Sequence, residues 1–191
     1  MRKTNLTIAA AVLFCLTMAA SAEGDSKVGA KAPNFWLRPL NKDMIMQLNQ
    51  GKQKIKRATI GLDQFVGARA ENPAKVLVLS FFANYCKPCK KELPELQKLY
   101  AENHGKGLRI LAINTDSDPK EREEAVKFVN ASNITFPVLK DSLEVVRRRY
   151  GVKQYPSIFV VDSQGVIRNH HEAFNEETFN QLKQEIQSYL K

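Results

Sequence analysis

Val76 to Phe82 is almost continuously apolar, and it leads through Ala83-Asn84-Tyr85 into Cys86-Lys87-Pro88-Cys89 and a helical stripe. A β-branched and aromatic run of this kind reads as a strand buried on both faces. The stripe Leu93, Leu96, Leu99 and Tyr100 has the period of a helix running from about Lys87 to His104. Cys86 and Cys89 therefore fall at a strand-to-helix junction. There a pair at i and i+3 shares one helix face and can cycle between dithiol and disulfide. Pro88 is tolerated in the first turn, Pro94 inside the helix is expected to kink it, and Gly105 is expected to be its left-handed stop.

Two blander readings compete. A structural zinc site needs four ligands, and the rest of the Cys and His inventory is Cys15, His104, His170 and His171. No metal or other cofactor is expected. A static disulfide gains little from closing so short a loop. Redox activity is the stronger reading.

The N-terminus has the pattern of a secretory signal over residues 1–22. Arg2 and Lys3 precede the apolar stretch 6–20, and Ala20-Ser21-Ala22 offers small residues for cleavage. The stretch is short of the ~20 residues of a spanning helix, so cleavage is expected over retention as an anchor. Cys15 leaves with it, and the mature chain keeps one Cys pair in a compartment where disulfides persist. Residues 23–31 read as a flexible leader and 32–191 as one domain. The chain carries a formal charge of +9, of which the signal holds two cations. The cations are scattered, with no aromatic-interleaved groove motif, which argues against a nucleic-acid partner. Lys52, Lys54, Lys56 and Arg57, like the run Arg147-Arg148-Arg149, read as solvated faces.

Short strands are expected at residues 35–37 and 58–60, around a polar excursion over 41–57. A strand over 108–114 precedes a helix over 119–131 with Asp118 as N-cap and Ala125, Val126, Phe128 and Val129 inward. Asp141 or Ser142 is expected to open a helix through Tyr150 that Gly151 closes. Strands at 157–161 and 166–168 flank the turn Asp162-Ser163-Gln164-Gly165, and a final helix spans about 175–190. The alternation implies an α/β fold: a mixed central sheet flanked by helices, with an N-terminal β-hairpin extension.

The segment Phe82-Ala83-Asn84-Tyr85-Cys86-Lys87-Pro88-Cys89-Lys90-Lys91-Glu92-Leu93-Pro94 resembles the active site of TlpA-like and ResA-like exported thiol-disulfide oxidoreductases. Gly151-Val152-Lys153-Gln154-Tyr155-Pro156-Ser157 is similar to their cis-proline loop, and Gly29-Ala30-Lys31-Ala32-Pro33-Asn34-Phe35 to their N-terminal entry. The resemblance implies a thioredoxin-like fold. Three positions depart from the superfamily pattern. Phe82 and Tyr85 stand where tryptophans are common, Ser80 stands where cytosolic thioredoxins bury an acid, and Tyr155 replaces the usual threonine before the proline.

Cys86, at the positive end of the helix, is expected to be the exposed attacking thiolate, with Cys89 a turn inward as the resolving thiol. Tyr85, Lys87 and Pro88 flank the pair. The resemblance implies that Pro156 is cis, that the backbone of Tyr155 docks an extended substrate, and that Glu92 influences the cysteines' proton transfers. The alternative for Glu92 is a solvated first-turn acid supporting the helix dipole. The implied function is reduction of disulfides in exported proteins, with apocytochrome c among the candidates, by a monomer that a membrane electron donor re-reduces. A net thiol oxidase is the directional alternative. A copper-binding chaperone of the Sco-like kind, which uses a longer Cys spacing and a distant His, is the alternative from another class. The Pro-x-x-x-Thr/Ser-x-x-Cys pattern of a peroxiredoxin is missing around Cys86.

Overall fold

The computed structural model describes residues 26–40 and 58–191. The signal over 1–22 and the excursion over 41–57, with its Lys52, Lys54, Lys56 and Arg57, lie outside the described residues. The strands are β1 (Trp36–Pro39), β2 (Ile60–Gly61), β3 (Val76–Phe82), β4 (Leu108–Asn114), β5 (Val138–Lys140), β6 (Ser157–Asp162) and β7 (Ile167–Glu172). The helices are α1 (Lys87–Asn103), α2 (Pro119–Ala131), α3 (Val145–Arg149) and α4 (Glu176–Leu190).

The strands form one sheet in the order β2-β1-β5-β4-β3-β6-β7. β3, β4 and β5 run parallel, joined by crossovers through α1 and α2, while β6, β7, β1 and β2 add antiparallel pairs at the two sides. Every residue of β3 and β6 is buried, so this part of the sheet is covered on both faces. That is why β3 reads as an unbroken apolar run. The antiparallel pairing of β1 with β2 is the expected N-terminal extension.

Local chemistry sets the helix starts. The Asp118 carboxylate accepts hydrogen bonds from the backbone N–H groups of Lys120 and Glu121, and Pro119 enters where its missing N–H does no harm. Asn175 and Thr178 cap α4 reciprocally, and Phe179, Leu182, Ile186 and Leu190 bury its inner face. In α2, Ala125 and Val129 are buried, whereas Val126 and Phe128 are only partly so.

Several boundaries differ from the sequence reading. Past α1 the chain tightens into a 3-10 turn, His104–Lys106, so the left-handed residue is Gly107 at φ 114° and not Gly105. α3 begins only at Val145, because Glu144 takes a left-handed φ of 53°; Asp141 still caps it, accepting from the N–H groups of Val145 and Arg147 at 2.9 and 2.8 Å. β7 continues to Glu172, after a register shift opposite Val160 and Val161. The stretch expected as a flexible leader is tied down from Ser26. Ser26 Oγ donates to the Arg149 carbonyl, Gly29 N–H donates to the Ile167 carbonyl, Ile167 N–H donates to the Ala30 carbonyl, and Ala32 N–H donates to the Gly165 carbonyl.

Candidate active site

The C-terminal ends of the three parallel strands deliver the polar groups, as they do in open parallel sheets generally. β3 runs into Cys86, β4 into Thr115 and Asp116, and β5 into Asp141 and α3. Cys86 is the N-cap residue of α1, and the Cys89 backbone N–H donates to its Sγ at 3.2 Å. The two cysteines are joined as a disulfide. Cys86 is 5 % exposed and Cys89 1 %, so both cysteines are buried in this oxidised form, including the one expected to be exposed. Cys86 is reached through a cleft of about 420 Å³. It is lined by Tyr85, Cys86, Lys87 and Pro88 from the strand-to-helix junction, by Arg147 from α3, and by Lys153, Gln154 and Tyr155 from the loop before Pro156.

Glu92 lies one turn beyond Cys89 and is completely buried. The solvated first-turn acid is therefore excluded. Ser80, in the middle of β3, donates from Oγ to Glu92 Oε1 at 2.6 Å, while Oε2 has no hydrogen-bond partner among the described residues. Burial strips the carboxylate of water and pushes its pKa up to about 8, against a smaller downward pull from the Ser80 bond. At neutral pH Glu92 is mostly protonated. The Ser80 position, where a buried acid is missing, thus faces an acid delivered from the helix instead.

The turn before Cys86 is held from β4. Asp116 accepts from the Asn84 backbone N–H with both oxygens, at 3.2 and 2.9 Å, and from Asn114 Nδ2 at 2.6 Å. Asn84 Nδ2 donates onward to Glu121 of α2. Nothing in the spacing of Asn114-Thr115-Asp116 marked these residues, although a polar cluster closing a parallel strand is a usable signal.

The Tyr155–Pro156 peptide bond is cis. Pro156 itself is buried, and the cleft is lined by the residues just before it. Thr115 Oγ1 donates to the Tyr155 hydroxyl at 2.5 Å, and the Tyr155 ring meets that of Tyr85 edge-on at 6.2 Å. Burial raises the Tyr155 phenol pKa, partly offset by the Thr115 bond and by Arg147. The Arg147 guanidinium lies 5.7 Å from the Tyr155 ring centre and pairs with Glu144 at 2.7 Å. Arg147 is thus part of the site and not a solvated face. His104 stacks on Tyr100, and His170 on Phe159, where it meets Ser157 Oγ at 2.7 Å. Among the described residues no three His, Cys, Asp or Glu side chains come together as metal ligands.

Comparison with known proteins agrees with this geometry. The AhpC/TSA family profile matches residues 28–170. The thiol-disulfide oxidoreductase ResA of Bacillus cereus is 30 % identical, over 100 % of this chain and 98 % of its own; that of Bacillus anthracis is 31 % identical, over 97 % and 90 %. A solved chain from Chlorobium tepidum, assigned as the thiol:disulfide interchange protein DsbE, superposes with a TM-score of 0.68 at 26 % identity. The superposition covers 86 % of this chain and 99 % of that one. StoA of Bacillus subtilis, at 21 % identity and a TM-score of 0.57 over 80 % and 96 %, shares the fold.

The sheet and helices form a thioredoxin-like fold, with a Cys-x-x-Cys disulfide at the start of its first helix. The chain belongs to the AhpC/TSA family and, within it, to the ResA-like thiol-disulfide oxidoreductases.

Proposed function

We propose that this oxidoreductase works in the reducing direction, on disulfides of exported proteins. The observation that carries this is the unequal setting of the two cysteines: Cys86 lines a cleft, whereas Cys89 does not and is buried within the apolar core. Burial disfavours a thiolate at Cys89. An environment that withholds stabilisation from the reduced form makes the disulfide the preferred state, and the dithiol a better reductant.

In the proposed cycle the Cys86 thiolate attacks a substrate disulfide. A Cys86–substrate bond forms, and the departing substrate sulfur leaves as a thiolate that takes up a proton. Cys89 then gives up its proton, attacks Cys86 Sγ and releases the second substrate sulfur. The substrate gains two electrons and the Cys86–Cys89 pair loses two. Glu92 is the group one turn away that can accept or return the Cys89 proton, since its raised pKa lies near that of a thiol, ~8.5. The backbone of Tyr155 before Pro156 is the proposed docking edge for an extended substrate.

Export through residues 1–22, re-reduction by a membrane electron donor, and apocytochrome c haem-site cysteines as substrate follow from the signal pattern and the family resemblance. Among the described residues no helix is long and apolar enough to cross a membrane. The test is a pair of variants. Cys89→Ser is expected to accumulate mixed disulfides with partners that mass spectrometry identifies, and Cys86→Ser to lose substrate reduction. Wild-type turnover by both would reject the assignment.

A further inference from the structure

The cleft in front of Cys86 is lined by cations from three separate segments. Lys87 lines it from the junction, Lys153 from the loop before Pro156, and Arg147 from α3, and no acidic side chain lines it. Arg147 is paired with Glu144, yet its buried Nε has no hydrogen-bond partner among the described residues. Lys87 and Lys153 are exposed, and neither forms an ion pair among the described residues. Two unneutralised cations beside an attacking sulfur concentrate anionic groups there, and the charge of the whole chain has the same sign. Tyr85, 71 % exposed, and Tyr155 form an aromatic wall on which a peptide can lie.

We propose that this cleft selects protein disulfides flanked by Asp or Glu, with Lys153 and Arg147 as specificity-determining residues. The proposal rests on the oxidoreductase reading and adds to it the class of substrate. A disulfide segment docked along Tyr155 brings its neighbouring side chains against these cations. Acidic neighbours gain attraction and basic ones meet repulsion, and each effect weakens with salt.

The experiment uses the reduced full chain and three peptides that share one internal disulfide but carry Asp and Glu, Gln, or Lys beside it. The acidic peptide is expected to be reduced about tenfold faster than the basic one at low salt, with the ratio shrinking towards one near ~0.5 M salt. Lys153→Glu, an exposed substitution outside the Cys-x-x-Cys loop, is expected to shrink or invert the ratio, and Arg147→Gln to shrink it. Equal rates for the three peptides, a faster basic peptide, or a ratio unchanged in the Lys153→Glu, Arg147→Gln double variant would overturn the proposal. An uncharged small disulfide, bis(2-hydroxyethyl) disulfide, separates the two readings. Its reduction alongside equal peptide rates rejects charge selection alone, whereas failure to reduce it or any peptide rejects the oxidoreductase reading as well.

Discussion

Ser80 on β3 and Glu92 on α1 are twelve positions apart in sequence and meet in a buried 2.6 Å hydrogen bond. The carboxyl titrates near 4.5 when solvated and near 8 in the fold, so the folded state holds this proton more tightly than the unfolded one. Its stabilising effect is complete below about pH 4.5 and is lost as pH rises through 8. Between those values each pH unit removes up to about 1.4 kcal/mol. The oxidised wild type is therefore expected to lose urea stability across this range, while Glu92→Gln, which cannot ionise, stays nearly flat. Parallel pH profiles for the two proteins would show that Glu92 keeps an ordinary pKa.

Ser80→Ala removes the donor and the downward pull on Glu92 together. The pKa of Glu92 is expected to rise further, shifting the alkaline loss of stability upward in pH. Leaving a buried acceptor without its partner costs about 1–3 kcal/mol in urea unfolding. A variant as stable as wild type, with an unmoved pH profile, would mean that the bond contributes nothing.

The elements that frame this pair were legible because their signals are local. An unbroken apolar run gives β3, and Asp118-Pro119 fixes the start of α2 through a side chain two and three residues from the groups it caps. The spacing also placed Glu92 one turn from Cys89. Whether that turn faces solvent depends on β3, whose Ser80 meets Glu92 only after the chain has folded back, so the local pattern did not separate a modulator of the cysteines from a solvated first-turn acid. Arg147 was misread for the same reason. In sequence it is the first of three arginines after a short apolar pair, and only the left-handed Glu144 and the late start of α3 set it over Tyr155.

Asp116 holds the turn before Cys86 through the Asn84 backbone N–H. Asp116→Ala leaves that donor and Asn114 Nδ2 without their acceptor. Hydrogen bonds to a charged group are worth about 1.5–3 kcal/mol, and a loss of that size is expected in urea unfolding. Amide hydrogen exchange at Asn84 is expected to accelerate, with Asp116→Asn restoring part of the protection. Unchanged exchange at Asn84 in the alanine variant would remove Asp116 from its positioning role.

Gly105 and Gly107 separate the sequence expectation for the end of α1 from the structure. Gly105 lies in the 3-10 turn without a left-handed φ, and a methyl group there meets nothing within 4 Å. Gly105→Ala is expected to stabilise the protein by about 0.4–1 kcal/mol, by restricting the unfolded chain. Gly107 has a φ of 114°, and an added Cβ would come within 2.9 Å of Lys75 Cγ, beside the start of β3. The lysine stem can move aside but the backbone strain remains, so Gly107→Ala is expected to lose about 1–2 kcal/mol. The two alanine variants should shift the urea midpoint in opposite directions. A destabilising Gly105→Ala with a neutral Gly107→Ala would return the left-handed stop to Gly105.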